Sequence, residues 1–284
     1  MSDEPVLPVG EGGLVRLRLD ISYDGTGFSG WAVQPGLRTV AGELIEALGK
    51  LLPGAERPVV AGRTDAGVHA SGQVAHVDVP VPAYEARAQK LVRRFAGVLP
   101  PDVRVRAVRV APADFDARFS ALRRHYRYRI TDADWGADPL HRHGIARWPR
   151  ALDVPLMAEA AAGLLGLHDF AAYCRRREGA TTVRELQRLE VVRTTQDGTI
   201  EIAASADAFC HSMVRSLVGA LLAVGDGRHE APWPGSLLTR RERAGAVVVA
   251  PAAGLTLLCV DYPDDAELAA RAILTRRVRE APQT

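Results

Sequence analysis

The sequence predicts an α+β protein made of two ferredoxin-like halves, each running β-α-β-β-α-β with an antiparallel sheet. Three observations carry that expectation. Segments of apolar-polar alternation mark half-buried strands. Between them, apolar residues recur at helical spacing inside segments bounded by caps and breakers. The resulting order of elements then runs through the 284-residue chain twice, with no matching sequence between the two passes.

The first strand spans Leu14 to Ser22, where Val15, Leu17, Leu19 and Ile21 face one way and Arg16, Arg18 and Asp20 the other. A glycine-rich loop follows. Thr39 is placed to cap a helix in which Val40, Leu44, Ala47, Leu48, Leu51 and Leu52 share a face, and Pro53-Gly54 ends it. A short strand at Val59 to Ala61 enters a loop from Gly62 to Gly72, and Gln73 to Val79 reads as the next strand. Tyr84, Ala88, Leu91, Val92 and Phe95 predict one helix, and Val103 to Val110 closes the first pass. In the second pass, a strand at His125 to Ile130 leads to a helix opened by Asp153 and Pro155. Strands follow at Glu185 to Arg193 and Thr199 to Ala204. A helix carrying Met213, Val214, Leu217, Val218 and Leu221 ends at Gly225. Leu255 to Tyr262 is the last strand, and Asp264 to Glu280 a terminal helix. The expected organisation is a disordered lead-in at 1–13, an N-terminal subdomain at 14–112 and a C-terminal subdomain at 113–284.

A hydrophobic fraction of 47% and a charged fraction of 25% describe a soluble globular protein. No apolar run reaches the roughly 18 residues of a membrane span. The acidic start MSDEPVLPVGEGG lacks the basic, then apolar, pattern of a signal peptide, so a cytoplasmic protein is expected. Cys174, Cys210 and Cys259 are odd in number and far apart, without disulfide-framework or zinc-ligand spacing, and read as buried free thiols. The net charge of +2 says little, but its distribution says more. Arg118 to Arg129 holds five arginines and His125 with no acidic residue, and Arg175, Arg176 and Arg177 form a second cluster. Guanidinium groups bind phosphate bidentately, which suits nucleic acid. Since Lys50 and Lys90 are the only lysines, arginine is also the general cation here and some clustering follows by chance.

The most unusual stretch is AGRTDAGVHASGQVAHV, Ala61 to Val77. Gly62, Gly67 and Gly72 permit sharp turns or close approach, and Arg63, Asp65 and His69 lie between them. A carboxylate on such a loop could act as nucleophile or general base, with Arg63 keeping it ionised. An Asx-turn aspartate that only organises the loop is the reading the residues alone favour. His69 reads as a structural hydrogen-bonding residue, with no second ligand at metal spacing.

That stretch resembles the aspartate motif of the TruA-type tRNA pseudouridine synthases. The likeness extends, in family order, to YDGTGFSGW (Tyr23 to Trp31) with Gln34, TVAGELIEAL, FDARFSALRRHYRYRI (Phe115 to Ile130), GLHDFAAY (Gly166 to Tyr173), ADAFCHSMVRSLVGALLAVG (Ala206 to Gly225) and PAAGLTLLCVDYP (Pro251 to Pro263). The resemblance implies the pseudouridine synthase fold, with RRM-like halves, and conversion of uridine to pseudouridine at positions 38, 39 and 40 of the tRNA anticodon stem-loop. It implies Asp65 as the nucleophile and Tyr126 as the tyrosine packed on the base. Arg215 would pair with the catalytic carboxylate, and Arg63 would help displace the base. It further implies no metal or other cofactor, tRNA as partner, and a homodimer with a basic cleft. Strand alternation independently puts Tyr126, Tyr128 and Ile130 on one face and Arg127 and Arg129 on the other, with Tyr128 expected in the core. Two positions depart from the family: Ala96, where asparagine is usual, and Ala32-Val33, where a polar pair is common. Two other readings are a non-catalytic RNA-binding module and an aspartate-based small-molecule hydrolase. The second would need another carboxylate or a metal site at workable spacing, and the sequence offers neither.

Overall fold

A computed structural model describes residues 11–175 and 181–276. The chain divides into two compact units: one runs to Leu122 and takes in Cys259–Arg276, the other is Arg123–Leu258. Most of the lead-in, Arg176, Arg177 and the end of the terminal helix lie outside the described residues.

In the first unit the elements are β1 (Leu14–Tyr23), α1 (Val40–Leu51), β2 (Val59–Val60), β3 (His69–Pro80), α2 (Val81–Glu85), α3 (Leu91–Val98) and β4 (Val103–Val110). The strands pair antiparallel in the order β4-β1-β3, with β2 against β3, which is the ferredoxin-like arrangement. Alternation in β1 is realised in full: Val15, Leu17, Leu19 and Ile21 have no exposed surface. Burial of each such side chain is worth roughly 1.5–3 kcal/mol. Across the ladder Arg16 sits opposite Asp78 and donates from Nε to Oδ1 at 2.7 Å and from Nη2 to Oδ2 at 2.5 Å. Thr39 caps α1 by accepting from the Gly42 amide at 3.2 Å.

Two expectations needed adjustment here. The helix expected around Tyr84 to Phe95 is two, because Lys90 adopts φ 64° and breaks the run ahead of Leu91. And β3 starts at His69 rather than Gln73, since Ala70 still pairs with Tyr23 at the end of β1.

The second unit holds β5 (Arg123–Thr131), β6 (Ala146–Arg147), α4 (Val154–Ala162), β7 (Gly166–Asp169), β8 (Val183–Arg193), β9 (Ile200–Ala206), α5 (Met213–Gly225) and α6 (Trp233–Ser236). Strands β5, β9, β8 and β7 are antiparallel neighbours in that order, and β6 adds to β5 in parallel. Asp153 caps α4, accepting from the Leu156 amide at 3.0 Å. Every residue of α5 except Arg215 is buried. The chain then runs through β10 (Leu255–Asp261), which crosses from the second unit to the first at Cys259, and ends its described part in α7 (Leu268–Arg276). Back in the first unit, Tyr262 donates its hydroxyl to Ala117 O at 2.7 Å and the Leu122 amide donates to Asp261 O at 2.8 Å. Among the described residues no helix is long and apolar enough to cross a membrane.

The cysteines correct the sequence reading. Cys174 and Cys210, 36 residues apart, are joined in a disulfide with a Cα–Cα separation of 5.7 Å, and Cys259 is exposed. Sequence spacing carries no record of the tertiary approach that pairs two of three cysteines.

His76 on β3 is 6% exposed and accepts from the Ala117 amide through Nδ1 at 3.0 Å. Burial, reinforced by the Arg16 charge and opposed by Asp116 and Asp78, holds its pKa at about 4 against an ordinary 6.5. The unfolded chain therefore binds more protons than the native state between those values. The contribution of His76 is complete above pH 6.5 and is lost as pH falls toward 4. Urea denaturation across that window should show wild type losing stability more steeply than His76→Asn, by up to about one proton's worth of slope. Parallel profiles would remove His76 from the pH response.

Candidate active site

Asp65 lies on the loop between β2 and β3, half-buried, with Arg63 exposed two residues before it. The loop is not self-supporting. It is held by the segment that follows β1, Asp24 to Trp31. The Trp31 amide donates to Thr64 O at 3.0 Å, directly before the aspartate. The Gly67 amide donates to Phe28 O at 3.2 Å, just after it, and the Val68 amide closes the turn onto Asp65 O at 3.2 Å. His69 Nδ1 accepts from the Gly25 amide at 3.0 Å, so this histidine organises backbone, as its type alone suggested.

Two glycines make the approach possible. A Cβ on Gly25 would lie 2.1 Å from Val68 O. A Cβ on Gly30 would lie 2.9 Å from Thr64 O and 3.1 Å from the Ala66 nitrogen, and Gly30 also has φ +90°. Both conditions favour glycine there. Beneath the loop, the Tyr23 hydroxyl is 2.7 Å from Thr64 Oγ1, and Gln73 Nε2 donates to Gly62 O at 2.8 Å. Burial pushes the Tyr23 phenol up to about 12, against its hydrogen bonds to Thr64 and Gln73, so it stays protonated at neutral pH.

In the second unit Tyr126 stands on β5 opposite Ala204, buried to 9% exposure, with Phe209 edge-on at 5.2 Å between ring centroids and 89° between planes. Tyr128, two residues on, is fully buried and donates to Pro251 O at 2.9 Å. Burial raises its pKa while the Arg215 charge works the other way. This is the core residue of the pair, as expected.

Arg215 is the one half-exposed position on an otherwise buried helix. Its Nε donates to Ala250 O at 2.8 Å and its own carbonyl accepts from the Ala250 amide at 3.0 Å, which orients the guanidinium plane. One turn on, the chain at Val248 comes so close to α5 that a Cβ on Gly219 would lie 1.7 Å from Val248 O. The disulfide adds a second anchor ahead of α5: Cys174 is tied to Cys210, and the Arg175 amide donates to His211 O at 3.1 Å.

The arginine cluster is less available than its sequence suggests. Arg129 lies 3.2 Å from both Asp197 and Glu201, and Arg127 3.7 Å from Glu201. Arg124 is buried and donates to Asp207 O. Arg118, Arg123 and Arg175 are exposed. Partners on β9 and in the segments flanking it, invisible in a linear count, account for the difference.

The structure thus places Asp65 and Arg63 on one loop of the first unit, and Tyr126 and Arg215 on a strand and a helix of the second. Sequence reasoning missed the supports: Tyr23, Thr64, Gln73, Gly30 and Phe209. The available signal was polar side chains, Tyr23 and Gln73, at inward positions of apolar strands.

A family model described as tRNA pseudouridine synthase matches residues 160–263. Over nearly the whole length the chain is similar to proteins named tRNA pseudouridine synthase A. One from Frankia casuarinae is 61% identical, covering 95% of this chain and 97% of that one. One from Mycobacterium leprae is 54% identical over 94% and 96%, and one from Streptomyces griseus 53% identical over 96% of each.

The cradle predicts unequal penalties for two glycines with positive φ. A Cβ on Gly36, at φ +71°, would meet nothing within 4 Å, whereas one on Gly30 meets backbone. Gly36→Ala should cost about 1 kcal/mol from backbone strain alone. Gly30→Ala should cost more, about 2–4 kcal/mol, because the Asp65 loop must also shift. Equal denaturation midpoints for the two variants would argue that the loop gives way without cost.

Proposed function

This chain belongs to the tRNA pseudouridine synthase family, isomerases of tRNA uridine, and we propose that it acts at positions 38, 39 and 40 of the anticodon stem-loop with Asp65 as its nucleophile. The observation that carries the assignment of Asp65 is its setting: a half-buried carboxylate in a turn pinned on both sides by backbone hydrogen bonds. An Asx-turn role would leave the surrounding cradle without purpose. Preorganisation of a reacting group is what the arrangement supplies.

The reaction breaks the N1–C1′ glycosidic bond and forms a C5–C1′ bond. C5 loses its hydrogen and N1 gains one, so atoms and electrons balance without an oxidant or reductant. Attack at C1′, attack at C6 and the glycal route all begin at the same carboxylate. The family resemblance assigns Arg215 as the partner of the catalytic carboxylate; within its own unit its Nε donates to Ala250 O. Tyr126 stacks on the extruded uracil, its own ring held by Phe209, and its hydroxyl takes part in proton handling. Arg63, exposed beside the nucleophile, fills the space the base vacates, offsetting part of the few kcal/mol that unstacking costs.

We read the working form as a cytoplasmic homodimer whose basic surface binds tRNA chiefly through phosphates, on the strength of the family resemblance and of the exposed Arg118, Arg123 and Arg175. Pseudouridine mapping on an unmodified tRNA transcript with uridines at 38, 39 and 40, without added metal, tests the assignment. Wild type should modify these positions, and Asp65→Ala should bind the same tRNA with turnover abolished. Binding without product from either protein would favour a non-catalytic RNA-binding role. Sedimentation as a monomer at assay concentration would count against the dimer, and salt-insensitive tRNA affinity against the phosphate-dominated interface.

A further inference from the structure

Beneath the Asp65 loop, three buried polar side chains from three different segments meet. Tyr23, the last residue of β1, is 5% exposed; Thr64, on the loop, is 7%; Gln73, on β3, has no exposed surface. Gln73 Nε2 donates to Gly62 O at 2.8 Å and reaches the Tyr23 hydroxyl at 3.3 Å, and that hydroxyl is 2.7 Å from Thr64 Oγ1. The phenol oxygen accepts from Gln73, and the Tyr23 and Thr64 hydroxyls share one hydrogen bond. Desolvated hydroxyls and amides are costly to leave unpaired, so the three hold one another in a single arrangement.

Thr64 is the residue immediately before Asp65. Its carbonyl is already fixed by the Trp31 amide, and Gly30 packs against that carbonyl. The side-chain bond to Tyr23 adds a second, independent tether. Carbonyl and side chain point in different directions, so holding both removes the rotation about the Thr64 backbone that would swing the next residue. We propose that Tyr23, acting through Thr64, is a positioning residue that sets the aim of the Asp65 carboxylate. This rests on the assignment of Asp65 as nucleophile. Tyr23 itself is buried and touches no reacting atom; its effect is on geometry. Removing the hydroxyl leaves the ring's contact with Trp31, at 6.1 Å between centroids, in place, so a stability loss in Tyr23→Phe is confined to the unpaired Thr64 and Gln73 groups.

The test compares single-turnover rates at saturating tRNA and tRNA dissociation constants for wild type, Tyr23→Phe, Thr64→Val, Thr64→Ser, the Tyr23→Phe/Thr64→Val double variant and Asp65→Ala. Tyr23→Phe should lower the rate about 10- to 100-fold, as expected for a misdirected reacting group, with tRNA affinity within about twofold of wild type. Thr64→Val should do the same and Thr64→Ser, which keeps the hydroxyl, should restore the rate. The double variant should be no slower than the slower single one, since both remove the same bond. A Tyr23→Phe rate within about twofold of wild type, a loss seen in affinity instead of rate, or additive losses in the double variant would overturn the proposal. If Tyr23→Phe does not fold, the Thr64 pair decides: equal rates for Val and Ser refute it. Inactive wild type or active Asp65→Ala would instead refute the assignment of the nucleophile.

Discussion

Close backbone contact between two loops is the constraint on which the first unit's chemistry depends. The segment after β1 and the loop that carries Asp65 approach until there is no room for a side chain at Gly25 or Gly30, and hydrogen bonds run from one backbone to the other on both sides of the aspartate. A loop with three glycines would otherwise sample many conformations, each with a different aim for the carboxylate. The neighbouring segment removes that freedom. It is itself secured by α1, because the Val40 and Ala41 amides donate back to Gly30 O and Trp31 O. Strand, helix and both loops therefore behave as one assembly.

The second unit solves a similar problem differently. Its residues of interest sit on regular elements, so β5 and α5 supply their own rigidity. Tyr126 is held by strand pairing with Ala204 and by the edge of Phe209, and Arg215 by reciprocal bonds with Ala250. The absence of a side chain at Gly219 lets the Val248 chain settle onto the helix, and the bond between Cys174 and Cys210 ties down the segment that leads into it. Burial along α5 leaves Arg215 as its one half-exposed residue.

Several strand arginines are engaged by neighbours within their own unit. Arg16 is engaged by Asp78 and by the carbonyls of Ala113 and Phe115, and Arg129 by Asp197 and Glu201. A basic run in sequence is thus a weak guide to a basic surface, since strand pairing sets Glu201 of β9 against arginines of β5. Of the described arginines in the two clusters, Arg118, Arg123 and Arg175 remain exposed.

Local order was largely readable from the sequence. Alternation in β1, the Thr39 and Asp153 caps and the apolar length of α5 are set by neighbours a few residues away, and periodicity records such neighbours directly. The family resemblance likewise singled out Asp65, Arg63, Tyr126 and Arg215 by residue type and order. What only the tertiary structure decided is how those groups are held: the glycine cradle, the Tyr23, Thr64 and Gln73 network, the partners of Arg129, the break at Lys90 and the pairing of Cys174 with Cys210. Most of these depend on distances between residues far apart in the chain, 41 positions for Tyr23 and Thr64 and 36 for the two cysteines. Such distances are properties of the packed fold, and no local pattern encodes them.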